Sequence, residues 1–357
     1  MTSAPLSPAI VGRFVSKLYA VPVWLRRTDT LVPVRVLVTG GAGFIGSHTV
    51  HELVRLGHEV AVFDNLRYGH RAAVPVPVIE GELIDAPHIE EVLRDGQFEA
   101  VLHFAGYAAV GESVADPRKY FTNNVGGSIN LLNAMLSAGV GLLVFSSTSE
   151  VYGEAQFLPL IEDHPKLPVN PYGDSKWMVE QALRRYSDAY GLRSIALRYF
   201  NAAGAAEDGS IGEDHMPETH LIPNAILGAL GRQRFEFTCS TVDTPDGTTI
   251  RDYVHVLDLA SAHVLALEAL RRSHSTAAYN VGLGRGYSTK EVVETVQRVA
   301  GVEFPTSRGT PRQGEPAAKY ASNDLIRSDL GWQPQHDLES MVRTALAWHS
   351  AHPAGFA

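Results

Sequence analysis

Short apolar runs and amphipathic stretches alternate along this chain in a regular order. Val34 to Thr39 reads as a buried strand, the glycine-rich stretch Gly40-Gly41-Ala42-Gly43-Phe44-Ile45-Gly46 as a turn, and Ser47 to Leu56 as a helix closed by Gly57. A second strand runs from Glu59 to Phe63, and further strands are predicted near 76–80, 100–104, 141–146 and 193–199, separated by helices near 87–95, 117–138 and 171–190. Strands alternating with helices of this length predict an α/β fold with a doubly wound parallel sheet over 34–201. The remainder, 202–357, is expected to form a smaller α/β domain that binds substrate, with about 250–270 packing back on the sheet. Residues 1–33 carry four basic residues and four prolines. They are expected to be a disordered extension, with Val34 as an alternative start of translation.

The strand-turn-helix at 34–56 has the form of a phosphate site. Glycines let the backbone approach a pyrophosphate, and a helix N-terminus offers unpaired N–H groups and a positive dipole end. Asp64, 18 residues past Gly46, ends the next strand where a carboxylate would accept ribose hydroxyls and repel a 2'-phosphate, which favours NAD over NADP. The segments Gly81-Glu82-Leu83, Phe104-Ala105-Gly106, Ser146-Ser147-Thr148 and Tyr199-Phe200-Asn201 fall at the carboxyl ends of four strands, where ligands bind in such sheets.

Asn170-Pro171-Tyr172-Gly173-Asp174-Ser175-Lys176 opens the helix at 171–190 with a capping asparagine and a proline at its first position. Tyr172 and Lys176 then share one face. A free tyrosine titrates near ~10, so a phenolate base at neutral pH needs about 4 kcal/mol of preference for the anion. A lysine charge ~4 Å away supplies roughly that at an effective dielectric of about 20. The expected chemistry is deprotonation of a hydroxyl beside a bound dinucleotide.

Composition narrows the classes. The 357 residues are 45% hydrophobic and 19% charged, enough for one large core or two ordinary ones. A net charge of −9 argues against nucleic acid as a partner. No apolar run is long enough to span a bilayer. The single cysteine, Cys239, excludes an internal disulfide or cysteine cluster and fits a cytoplasmic location. Among fifteen histidines, neither His48 with His51 nor His215 with His220 shows zinc-site spacing with a third ligand, so no metal is assigned.

From Val34 to Phe356 the chain resembles the extended short-chain dehydrogenase/reductases, and among them the UDP-glucose (UDP-galactose) 4-epimerases. The likeness rests on HFAG at 103–106, VGES at 110–113, NNVGG at 123–127, FSST at 145–148, NPYGDSK at 170–176, LRYFNAAGA at 197–205, PETHLIP at 217–223 and PDGTTIRDYVHVLDLA at 245–260. It implies a Rossmann NAD domain, a UDP-sugar substrate and a homodimer joined through helices 117–138 and 171–190. Tyr172, Lys176 and Thr148 would be catalytic. Tyr172 would take the proton of the sugar 4-hydroxyl, bridged by Thr148, while NAD takes and returns the 4-hydrogen. The cofactor would lie against Gly40, Gly43, Phe44, Ile45, Gly46, Asp64, Asn65, Glu82, Leu83, Phe104, Ala105, Gly106, Asn123, Ser146, Tyr172, Lys176 and Tyr199. Thr148, Tyr172, Asn201, Leu221, Arg251, Tyr253, Arg312 and Glu315 would contact the nucleotide sugar.

The chain departs from the family's pattern at several points. Glu82 stands where aspartate is usual, Ala108 where some members carry lysine, Thr238 where an aromatic stacks on uracil, and Gln313-Gly314-Glu315 where arginine-x-glycine-aspartate is usual. Phe237 would serve the uracil after a one-residue shift. Lys319 lies near the position that sets sugar-pocket size. Glu150 resembles the glutamate of nucleotide-sugar dehydratases and UDP-glucuronate decarboxylases, where a carboxylate abstracts the C5 proton of the 4-keto sugar. Those activities, a UDP-uronate or pentose epimerase, and a dinucleotide sensor without turnover are the competing readings.

Overall fold

The alternating pattern folds as a parallel sheet whose strand order reverses beside its first strand. The computed structural model describes residues 32–239, 241–310 and 316–356, so most of the expected extension at 1–33 lies outside the described residues. Strand β1 (Arg35–Thr39) leads into α1 (Phe44–Arg55), then β2 (Glu59–Asp64), β3 (Val78–Glu80), α2 (Ala86–Gly96) and β4 (Ala100–His103). Next come α3 (Val110–Ala115), α4 (Pro117–Tyr120), a π-helical turn at Phe121–Gly126 and α5 (Gly127–Ala138). Strand β5 (Leu142–Thr148), α6 (Pro171–Tyr190) and β6 (Arg193–Tyr199) follow. The helix expected at 117–138 is thus divided by the π turn. Such turns are rare and frequent at functional sites.

After β6 come β7 (Asn201–Ala203), α7 (Leu221–Ala229), β8 (Phe235–Phe237), β9 (Ile250–His255), α8 (Val256–Arg271) and β10 (Ala277–Val281). The chain ends with β11 (Gly286–Ser288), α9 (Thr289–Ala300), β12 (Thr306–Arg308), β13 (Ala318–Lys319), α10 (Asp324–Leu330) and α11 (Leu338–Ala351). Local chemistry sets several boundaries. Asn170 accepts from the Gly173 N–H at 2.9 Å and starts α6 ahead of Pro171. Ser288 and Glu291 close a reciprocal capping box on α9.

The main sheet has the order β10-β6-β5-β4-β1-β2-β3, parallel throughout. β10 comes from the second half of the sequence and pairs with β6, so the segment that returns to the sheet extends past 250–270 to Val281. The order in which strands are added switches sides between β1 and β4, and the crevice at their carboxyl ends is where ligands bind in such sheets. The main core lies between the sheet and the layer of α2, α5 and α6, with Leu37, Phe63, Val101, Leu131, Phe145 and Leu183 at its heart. A second core joins α7, α9 and α11 around Ile226, Val296 and Met341. Residues from Pro33 onward form one compact unit. No helix among the described residues is long and apolar enough to cross a membrane.

Candidate active site

Two of the glycines after β1 are dictated by the protein itself. Gly40 has φ +70°, and a Cβ there would lie 2.4 Å from the Ala105 backbone nitrogen; at Gly46 it would lie 2.3 Å from the Gly40 carbonyl oxygen. Gly43 is different. It caps α1 with φ −78°, and a Cβ would meet nothing closer than 3.4 Å. The space left open lies beside the first turn of α1, built by Phe44, Ile45 and Gly46, where helix N–H groups lack intrahelical acceptors and no acidic side chain intervenes. A pyrophosphate fits that cradle in size and charge. Gly43→Ala is accordingly expected to leave the melting temperature within about 1 °C, since surface changes of this kind stay within about 0.5 kcal/mol. It should lower the NAD carried by the purified protein, read by native mass spectrometry; unchanged NAD content would refute the cradle.

Asp64 ends β2 and is buried. One carboxylate oxygen accepts from the Ala42 N–H at 3.0 Å and the other from the Leu66 N–H at 2.9 Å, so the same group that would meet a ribose also ties down the glycine turn. Burial raises its pKa, and those two N–H bonds oppose the rise. Asn65 Nδ2 donates to Glu82 Oε2 at 3.1 Å, which brings the two expected adenine-side residues together. The Leu83 side chain belongs to the core, and its carbonyl accepts from Asn130 Nδ2 at 3.0 Å.

Deeper in the crevice, Ala105 N donates to the Thr39 carbonyl at 3.0 Å and seats Phe104-Ala105-Gly106 against the glycine turn. Asn123 donates to Asn124 Oδ1 at 3.0 Å, and that oxygen also accepts from the Tyr107 N–H at 2.9 Å. The π turn thus holds the loop that follows β4. Tyr199 is buried, with its hydroxyl bonded to His263 and to Ser146.

Thr148, Tyr172 and Lys176 converge at the end of β5. Thr148 shares a hydrogen bond with the half-buried Tyr172 phenol, whose ring stands edge-on to Tyr120 at 6.4 Å. Lys176 is buried, donates to the Ser146 carbonyl at 2.8 Å and lies 4.9 Å from the centre of the Phe145 ring. Where a lowered phenol was expected, burial pushes Tyr172 up to about 12, the Thr148 bond offsets part of this, and Glu150 raises it further. Burial brings the Lys176 ammonium down to about 8.

Comparison with known proteins resolves the kind of site this is. Residues 36–282 match the model of the NAD dependent epimerase/dehydratase family. The chain belongs to that family. It is 46% identical over 326 residues to a UDP-glucose 4-epimerase of Lactobacillus helveticus, covering 90% of this chain and 99% of the relative. The crystal structure of UDP-glucose 4-epimerase from Brucella ovis in complex with NAD is 46% identical, covers 88% of this chain and 97% of its own, and superposes with a TM-score of 0.85. The enzyme from Bifidobacterium longum, solved with NAD+ and UDP, reaches 0.85 at 37% identity over 90% of this chain and 99% of its own.

In this epimerase/dehydratase-family chain the expected substrate residues gather around β9. Asn201 Nδ2 donates to the Asp252 carbonyl at 2.7 Å, Tyr253 is buried, and Leu221 opens α7. Arg251 lies in register with Lys319 on β13 and Tyr287 on β11. Arg312 and Glu315 lie outside the described residues. Phe237 stands 5.2 Å from Phe235 and packs against the second core, leaving a direct role at the uracil unsupported by its contacts.

Sequence reading missed three groups. Asp252 is fully buried and accepts from the N–H groups of Leu283 (2.8 Å), Gly284 (3.1 Å) and Ala321 (3.0 Å), locking two loops onto β9. Burial lifts its carboxyl to about 7 against the pull of those bonds. A lone acid in the apolar-flanked run Arg251-Asp252-Tyr253-Val254 was the available signal. Arg198 pairs with Glu180 beneath α6. His215 and His220 do gain neighbours, Glu213 and Glu218, with ligand-type atoms all within 4.8 Å of one another. His220 Nδ1 is 2.6 Å from Glu213 Oε1. Burial opposes its charge, but Glu213 and Glu218 together outweigh burial and lift the imidazole to about 10, and Glu213 raises His215 as well.

Proposed function

We propose that this protein catalyses the reversible 4-epimerisation of a UDP-sugar, UDP-galactose to UDP-glucose, through a transient 4-keto sugar with NAD retained throughout. The observation that carries the reading is the half-buried Tyr172 phenol, bonded to Thr148 at the end of β5, in a sheet whose switch point lies at the α1 cradle. When bound, NAD accepts and returns the hydride and brings a cationic ring that favours the phenolate. Thr148 holds the sugar 4-hydroxyl against the Tyr172 oxygen. Tyr172 takes its proton in one direction and returns it in the other. Lys176 is placed to anchor the nicotinamide ribose, and Arg251 to meet the diphosphate. Relatives of 46% identity named UDP-glucose 4-epimerase support the same reaction.

The dehydratase and decarboxylase readings need Glu150 as a free base. Its carboxylate is instead bonded to Lys319 and Asn170 and held below its usual range, which makes it a weak one. We further propose that the enzyme works in the cytoplasm as a homodimer joined through α4, α5 and α6; Met178, 45% exposed on α6, supports an apolar contact there. The test is NMR of purified protein with UDP-galactose and no added NAD, on a sample whose mass is measured by light scattering. Conversion to UDP-glucose by a particle of twice the chain mass is expected. Untouched UDP-galactose, or loss of carbon dioxide from UDP-glucuronate alone, would overturn the activity, and a monomeric mass the assembly.

A further inference from the structure

Glu150 begins the turn that follows Thr148, and its surroundings place a charge next to the reacting phenol. Lys319 Nζ donates to Glu150 Oε1 at 2.7 Å, across 169 residues of sequence, and Asn170 Nδ2 donates to Oε2 at 2.9 Å. Asn170 also caps α6, the helix whose second residue is Tyr172. The Glu150 carbonyl abuts Gly173, where a Cβ would come within 2.7 Å of it. One carboxylate is therefore wedged between the start of α6 and the end of β13. Lys319 is 4% exposed, on a strand in register with Arg251. The Glu150 side chain is 26% exposed, whereas the buried Lys319 ammonium keeps its charge only by pairing with a carboxylate at this distance.

We propose that Lys319 is a positioning residue for proton transfer: by pairing with Glu150 it neutralises the carboxylate nearest Tyr172 and so sets the pH range in which the phenol works. The inference rests on the epimerase reading above. The groups facing Tyr172 are Thr148 on β5, Tyr120 on α4, Tyr199 on β6 and Glu150. Glu150 in turn faces Lys319, Arg251, Asn170 and Tyr172. Glu150 is the one anion among them, and it acts to keep the phenol protonated. Lys319, with Arg251 behind it, is what restrains that effect.

The experiment compares the wild type with Lys319→Met, Glu150→Gln and the double variant, each as full-length, NAD-loaded protein. The acid limb of kcat/KM against pH is measured together with the Tyr172 phenolate titration, taken as the ultraviolet difference from matched Tyr172→Phe proteins. Removing Lys319 alone should move limb and titration up by at least about one pH unit, a tenfold loss at neutral pH if one charge interaction is gained. Glu150→Gln should move both down. The double variant should return close to the wild type rather than show the sum of the two. Should Lys319→Met fail to fold with its carboxylate left unpaired, Glu150→Gln and the double variant still carry the comparison. A limb and titration that stay put in the folded variants would overturn the proposal. Movement of the titration in a protein that epimerises no UDP-sugar would uphold it and sink the epimerase reading instead.

Discussion

Tyr172→Phe removes one oxygen and is expected to cost roughly 10²–10⁴-fold in kcat for UDP-galactose, the span general acid–base groups contribute. The ring is expected to stay because it is half-buried and edge-on to Tyr120, and the hydroxyl is the part that meets Thr148. Retained NAD should be unchanged, since the α1 cradle and Asp64 are untouched. KM should also change little, because the lost interaction belongs to proton transfer rather than to uniform binding. The measurement is single-turnover and steady-state NMR on the variant with its NAD content determined. A residual rate within about tenfold of the wild type would mean that another group takes the proton.

Arg198→Met is expected to cost about 3–5 kcal/mol of stability, because it leaves a buried carboxylate without its partner. Arg198 and Glu180 have side chains only 1% and 2% exposed, with Nη2 and Oε2 2.6 Å apart. The arginine donates again to Glu180 Oε1 at 3.0 Å, to the Tyr152 hydroxyl at 2.8 Å and to the Glu162 carbonyl at 3.1 Å. Ser147 on β5 donates to Glu180 Oε1 at 2.6 Å. This network rivets α6 to β5 and β6, the elements that carry Tyr172 and Thr148, so activity should fall along with stability. Arg198→Met with Glu180→Leu should be milder than the single change, since no charge is stranded. Urea denaturation midpoints would decide it. A loss below about 1 kcal/mol would show that water reaches the pair.

What could be read in advance follows from the range of each interaction. The glycine turn, the strand and helix succession and the capped start of α6 depend on residues within a few positions of one another, and the structure places them within about three residues of the expectation, the first helix starting at Phe44 rather than Ser47. The π turn at Phe121–Gly126 was hidden, because a wider hydrogen-bond pattern leaves the apolar period of a helix nearly unchanged. The electrostatics of Tyr172 were not legible, because burial and the Glu150 charge act on the phenol from outside its own helix. Glu150 with Lys319, Arg198 with Glu180 and Asp252 with its two loops are long-range pairings. The sequence shows each charge without naming its partner. His215 and His220 lacked a zinc spacing because their neighbours are carboxylates at intermediate positions.

The pairing of β10 with β6 bears on how this enzyme could be remodelled. A graft exchanging everything after Asn201 for the matching part of a relative would strip an outer strand from the cofactor sheet and lift α8 from α1. The transplantable pieces are instead the interval between β7 and β9 and the tail beyond Val281, inserted as two separate blocks. Sugar preference in this architecture therefore changes by splicing loops into a retained frame, and whole-half shuffling would rebuild the cofactor site each time.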